Sequence, residues 1–208
     1  MTFKEIITGE SDDLSEQSIA MQGDWDAKDD LGSISTFMLA KEWDYIEDLF
    51  GMKLYKHKST NAWILGTIKN VEGEDKPRLG VSFRIDFSNR KNIGFKFGLK
   101  KLYNVDEVGV SKDKRGFGLA SDMYSYFIKN HGYNIIGDEQ QFFGARKLWS
   151  KLSRITDLTV DIIDIENAKT LEEDTIIHHG DLDEEFDKRV WSYGLEKRYI
   201  RLILKNVK

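Results

Sequence analysis

Between Val105 and Phe127 the sequence reads VDEVGVSKDKRGFGLASDMYSYF, and its residue types suit the holding of an anion. A strand-like run ends near Val110. Lys112, Lys114 and Arg115 follow, and Gly116 and Gly118 precede a helical repeat. The first turn of a helix carries backbone N–H groups with no intrahelical partner, and they point outward with the positive end of the dipole. Glycines let a phosphate approach the backbone closely and let the loop take unusual dihedrals. The lysines add charge, and arginine grips phosphate oxygens in bidentate fashion. This order of features predicts a diphosphate site; the plainer reading is a tight turn on a solvated surface.

Two familiar phosphate loops are rejected by the residues. No Gly-Lys-Ser/Thr follows, as a triphosphate-binding loop requires, and the dinucleotide-binding fingerprint needs three glycines early in a parallel unit. Here the preceding strands look antiparallel. His178 and His179 are adjacent, so on an extended chain they point to opposite faces. No spaced pair supports them as metal ligands, and they read as loop residues.

The run Arg115-Gly116-Phe117-Gly118-Leu119-Ala120 resembles motif A, Q/R-x-x-G-x-G/A, of the GNAT superfamily of acyl-CoA-dependent N-acetyltransferases. YNIIGDEQQ and GARKLWSKL stand where that family has its fifth strand and fourth helix, and residues 45–205 follow its element order. The resemblance implies acetyl-CoA as co-substrate, with no metal. Val108 and Val110 would pair with the pantetheine arm, and the amides from Arg115 to Ala120 would hold the pyrophosphate. A bulge would splay the fourth and fifth strands. The implied reaction moves an acetyl group from acetyl-CoA to an amine that the sequence does not identify, small molecule or protein.

Departures from the family pattern motivate an alternative, a CoA-binding or protein-interaction module on the same scaffold without turnover. Trp149 stands where many members have a tyrosine acid; its apolar neighbours at helical spacing make it a core residue. Asn104 aligns with a strand glutamate that some members use as base. Asp106 lies on the face of Asn104 by strand alternation and is placed to poise a water, whereas Glu107 faces the other way. Asp138 and Glu139, at the end of the next strand, are further carboxylate candidates. Each of these also reads as an ordinary surface or structural residue.

Several elements must position these groups. Residues 1–32 read as an acidic N-terminal arm and residues 33–208 as a single domain. From Ser33 the spacing of Leu39, Trp43, Ile46 and Phe50 predicts a helix closed by Gly51. MKLYKH, AWILGTI, LGVSFRIDF and YNVDEVGV read as strands of an antiparallel meander, separated by turn-rich gaps. Leu119, Met123, Tyr126 and Phe127 repeat at helical spacing. A short strand YNIIGD follows, then a helix with Ala145, Leu148, Trp149 and Leu152 on one face. LTVDIID and RYIRLILK are the last strands. The expected class is α/β: a GNAT-like central mixed, mostly antiparallel sheet with helices on both faces and a splayed strand pair.

The chain has 208 residues, 40% of them hydrophobic and 12% aromatic, enough for a sizeable core. The absence of cysteine excludes disulfides, thiolate metal sites and cysteine nucleophiles. With no basic leader and no long apolar run, a cytoplasmic protein without a membrane segment is expected. Net charge is −5, but it is unevenly spread. Gly9 to Asp30 holds eight acidic residues against one lysine, and Asp161 to Asp187 is acidic too. Arg90 to Arg115 holds eight Lys or Arg against Asp106, Glu107 and Asp113. The acidic segments suit a basic protein partner. The mixture NIGFKFGLKKLY suggests nucleic-acid stacking, but the overall acidity argues against that and favours a strand with core phenylalanines.

Overall fold

The computed structural model describes residues 31–137, 143–165, 169–170 and 200–207. Strand β1 (Ser33–Ser35) leads into helix α1 (Thr36–Glu42), where the Ser35 hydroxyl caps the first turn by accepting from the Met38 amide at 3.3 Å. The helix stops at Glu42. The residues expected to continue it form strand β2 (Trp43–Leu49), paired antiparallel with β3 (Met52–His57). Phe50 and Gly51 are the two turn residues, with φ of 53° and 72°, both left-handed as a tight hairpin requires. Gly51 therefore closes a hairpin and not a helix. Cross-strand aromatic contacts, Trp43 on His57 and Tyr45 on Tyr55, favour the strand.

The described residues fall into two compact units. One comprises residues 31–87 and 106–119, the other residues 88–105, 120–137, 143–165, 169–170 and 200–207. In the first unit β2, β3, β4 (Ala62–Lys69) and β5 (Arg78–Asn89) form an antiparallel meander, with β1 also on β5. Leu31, Leu39, Trp43, Ala62, Ile64, Leu79 and Val81 build the core on one face. The register places Leu54, Leu65 and Phe83 together on the opposite face, and all three are fully buried. The expected meander is thus present. Leu31, which falls inside the expected arm, belongs to this core at 3% exposure, and the Gly32 carbonyl accepts from the Val81 amide at 3.1 Å.

Strand β6 (Leu102–Val110) runs from the second unit into the first. The Arg90 amide donates to the Leu102 carbonyl, and the Ser111 amide to the Ser82 carbonyl. In a regular antiparallel ladder the two residue numbers of each bonded pair have a constant sum. Here the sum moves from 192 (90 with 102) to 193 (82 with 111), so β6 carries one residue more than β5 over this span. Burial agrees: Leu102 and Asn104 are buried, then Gly109 and Ser111, a switch from even to odd. An extra residue in β6 between Asn104 and Gly109 accounts for both.

In the second unit β6 pairs parallel with β7 (Asn134–Ile136) over Leu102–Asn104. The strands continue antiparallel through β10 (Ile200–Asn206), β8 (Leu158–Asp164) and β9 (Lys169–Thr170). Parallel strands need a crossover, and α3 (Leu119–His131) supplies it. Gly132, at φ 66°, ends that helix: its amide donates to the Ile128 carbonyl, the single bond of an αL cap, and the Tyr133 amide donates to the Phe127 carbonyl. Leu102, Ile136, Ile163 and Ile203 form the core here.

Two further helices differ in how the sequence announces them. Helix α4 (Phe143–Ser153) follows the expected pattern, with Trp149 and Leu152 buried. NIGFKFGLKKLY is not the strand it resembled: α2 (Lys91–Lys96) occupies its first half. The architecture is α/β, on open, mixed and mostly antiparallel strands. No helix among the described residues is long and apolar enough to cross a membrane.

Candidate functional site

The loop after β6 is short and tightly bent. Lys112–Lys114 form a 3-10 turn, closed by amide bonds from Lys114 to the Ser111 carbonyl and from Arg115 to the Lys112 carbonyl. Arg115 is extended, at φ −67° and ψ 146°, and Gly116 follows at φ 80°. This pair of values belongs to a turn whose third residue must be glycine or asparagine. Gly118, at φ 88°, makes a second left-handed step just before α3. Nothing lies within 4 Å of where a Cβ on Gly116 would stand, so the chain there is open to an approaching group.

Three side-chain arrangements stiffen the loop. The Arg115 Nε donates to the Val110 carbonyl at 2.9 Å, folding the guanidinium back onto the strand end. The buried Ser111 hydroxyl donates to Asp113 Oδ1 at 2.7 Å. Lys114 Nζ stands 3.8 Å from Asp113 Oδ2. The hydroxyl bond from Ser111 holds the Asp113 carboxyl below its ordinary range, opposed by burial and aided by Lys114. Asp113 is therefore ionised at neutral pH and offsets one of the loop's three positive charges. The balance of Lys112, Asp113, Lys114 and Arg115 remains positive where the dipole of a 13-residue helix begins.

The candidate residues distribute as follows. Arg115, Gly116, Phe117, Gly118, Leu119 and Ala120 form the loop and the first turn of α3; Leu119 is buried, while Phe117 is 81% exposed. Val108 and Val110 are half-buried near the end of β6. Asn104 is buried, and its side-chain amide makes a long 3.4 Å bond to the Val105 carbonyl. Asp106 is exposed. The strict alternation that put it on the face of Asn104 does not run through β6, because the extra residue lies between Asn104 and Gly109. Trp149 is 5% exposed, a core position. Asp138, Glu139, His178 and His179 lie outside the described residues.

Sequence reasoning missed two of these arrangements. The Ser111–Asp113 bond has a signal in the Ser-x-Asp spacing, which favours a local side-chain bond at a turn. The Arg115 link to Val110 has none, since it depends on how far the loop doubles back. The chain matches no protein-family model, no curated protein and no solved structure.

Proposed function

We propose that the chain is an acyl-CoA-dependent N-acyltransferase of the GNAT kind, with the coenzyme's diphosphate on the loop from Arg115 to Ala120. The observation that carries this reading is the left-handed pair Gly116 and Gly118 between the end of β6 and the start of α3. They set backbone amides at a helix start with open space beside Gly116, which fits the approach of phosphate oxygens. The added residue in β6 suits a strand pair that splays.

The chemistry asked of the chain is modest. The amine nitrogen attacks the thioester carbonyl, a C–N bond forms and the C–S bond breaks, and CoA leaves as thiolate. Holding the two reactants together supplies a large share of the rate. Asp106, exposed on β6, is the described carboxylate nearest in sequence to the family's base position, and it takes the amine proton through a water. Trp149 is buried and its indole is no proton source, so the thiolate takes its proton from solvent.

That same buried Trp149 favours a second reading, coenzyme binding without turnover. Free-thiol release from acetyl-CoA, measured across a panel of primary amines, separates the two. Thiol release that depends on one amine and is lost in Gly118→Glu supports the transferase. Saturable acetyl-CoA binding with no release for any amine supports the second reading, and no binding at millimolar ligand removes both.

A further inference from the structure

The tract from Arg90 to Lys101 precedes the proposed coenzyme loop in the sequence, and what it supports is independent of that reading. Arg90, Lys91, Lys96, Lys100 and Lys101 are all exposed, and no Asp or Glu occurs between Asp86 and Asp106. Among the described residues none of the five cations is in an ion pair, whereas Lys53, Arg78, Arg84 and Lys129 are held by carboxylates. Among the described residues Lys101 alone of the five makes a side-chain hydrogen bond, its Nζ donating to the His131 carbonyl at 2.8 Å.

Phe95 sits within this positive field and is 88% exposed. Its neighbours explain why it points outward. Ile93 of α2, and Phe97 and Leu99 just after it, pack on the core of Leu102, Ile136, Ile163 and Ile203, which takes up the inward side of this segment. Gly94 is buried, donates to the Arg90 carbonyl and accepts from the Leu99 amide, both at 2.8 Å. A Cβ on Gly94 would stand 3.2 Å from the Leu102 Cβ, so the turn has no room to roll and take the ring inside. Leaving a phenylalanine ring in water forgoes the free energy that its burial would release. Lys91, one turn earlier, shares the face of Phe95.

We propose that this surface docks single-stranded nucleic acid, its phosphates on the cations and one unstacked base on the Phe95 ring. Unpaired cations call for a polyanion, and an exposed ring among them calls for a flat apolar group on that polyanion. A duplex keeps its base faces covered. A bilayer would be offered a single ring on this tract, and an acidic peptide leaves that ring without a use. The net charge of −5 does not forbid the contact, because at physiological salt charges beyond about 8 Å are largely screened.

The test is fluorescence anisotropy of a labelled oligothymidylate of about ten nucleotides against the full chain, over a salt series. Saturable binding is expected, with log K falling against log salt by about 0.7 for each phosphate neutralised. Phe95→Ala, at an exposed position, is expected to weaken binding roughly 5- to 150-fold and leave that slope unchanged. Lys91→Ala and Lys96→Ala are each expected to lower the slope by about 0.7. No oligonucleotide binding at low salt, equal affinity in Phe95→Ala, or tighter binding to blunt duplex or to anionic lipid vesicles would each overturn the proposal.

Discussion

Asp113 is the group whose ionisation the loop governs most directly, through the bond it accepts from Ser111. Its folded pKa is depressed, so the stability it contributes is present above the ordinary carboxylate value of about 3.9 and is lost as pH falls through the lowered one. Ser111→Ala is expected to return the Asp113 carboxyl toward its ordinary value, so that this contribution shrinks. A carbon-detected NMR titration of Asp113 checks it; an unchanged midpoint would mean that the hydroxyl does not set the shift. The residues of the loop were legible because glycine and basic types in that order have few physical uses. The fate of Asp106 was not. Alternation assumes one residue per step, and the added residue in β6 breaks that assumption within a few positions of the carboxylate.

At the scale of elements, the β2–β3 hairpin was the least readable part. Leu39, Trp43, Ile46 and Phe50 recur at helical spacing, yet only Leu39 lies in a helix. Pairing with MKLYKH outweighed a local preference that was weak for a stretch rich in aromatic residues. Gly51 serves equally as a helix stop or a hairpin turn, so it did not discriminate. Phe50 bears the consequence, a non-glycine residue at φ 53° with half its surface in water. Phe50→Asn, which tolerates that conformation better, is expected to stabilise the chain by about 1 kcal/mol. Urea unfolding measures this, and a lower midpoint in the variant would show that the ring holds something in place. The strands β3 to β6, with α3 and α4, were readable because their apolar periods are long and bounded by turn residues. NIGFKFGLKKLY misled because Phe95 and Phe97 alternate as in a strand, while Gly94 and Gly98 allow the chain to coil between them.

At the scale of the whole molecule the sum of charges says little, and their placement says more. Thirty-one basic residues against 36 acidic ones give an acidic protein, yet the tract from Arg90 to Arg115 carries a local positive field twice over, at α2 and at the loop before α3. The fold class was readable from the order of periodic segments. The amine that the proposed transferase would accept was not, because the specificity of such a site would reside in irregular segments with no period to read. The central claim is that the amides at the start of α3 receive a diphosphate. Amide chemical shifts of Gly116, Phe117, Gly118, Leu119 and Ala120 test it most directly, followed by two-dimensional NMR as CoA is added and, separately, as pantetheine without the diphosphate is added. Saturable shifts at these five amides with CoA, and little change there with pantetheine, are expected. Shifts confined to other parts of the chain, or none at all with CoA, would contradict it.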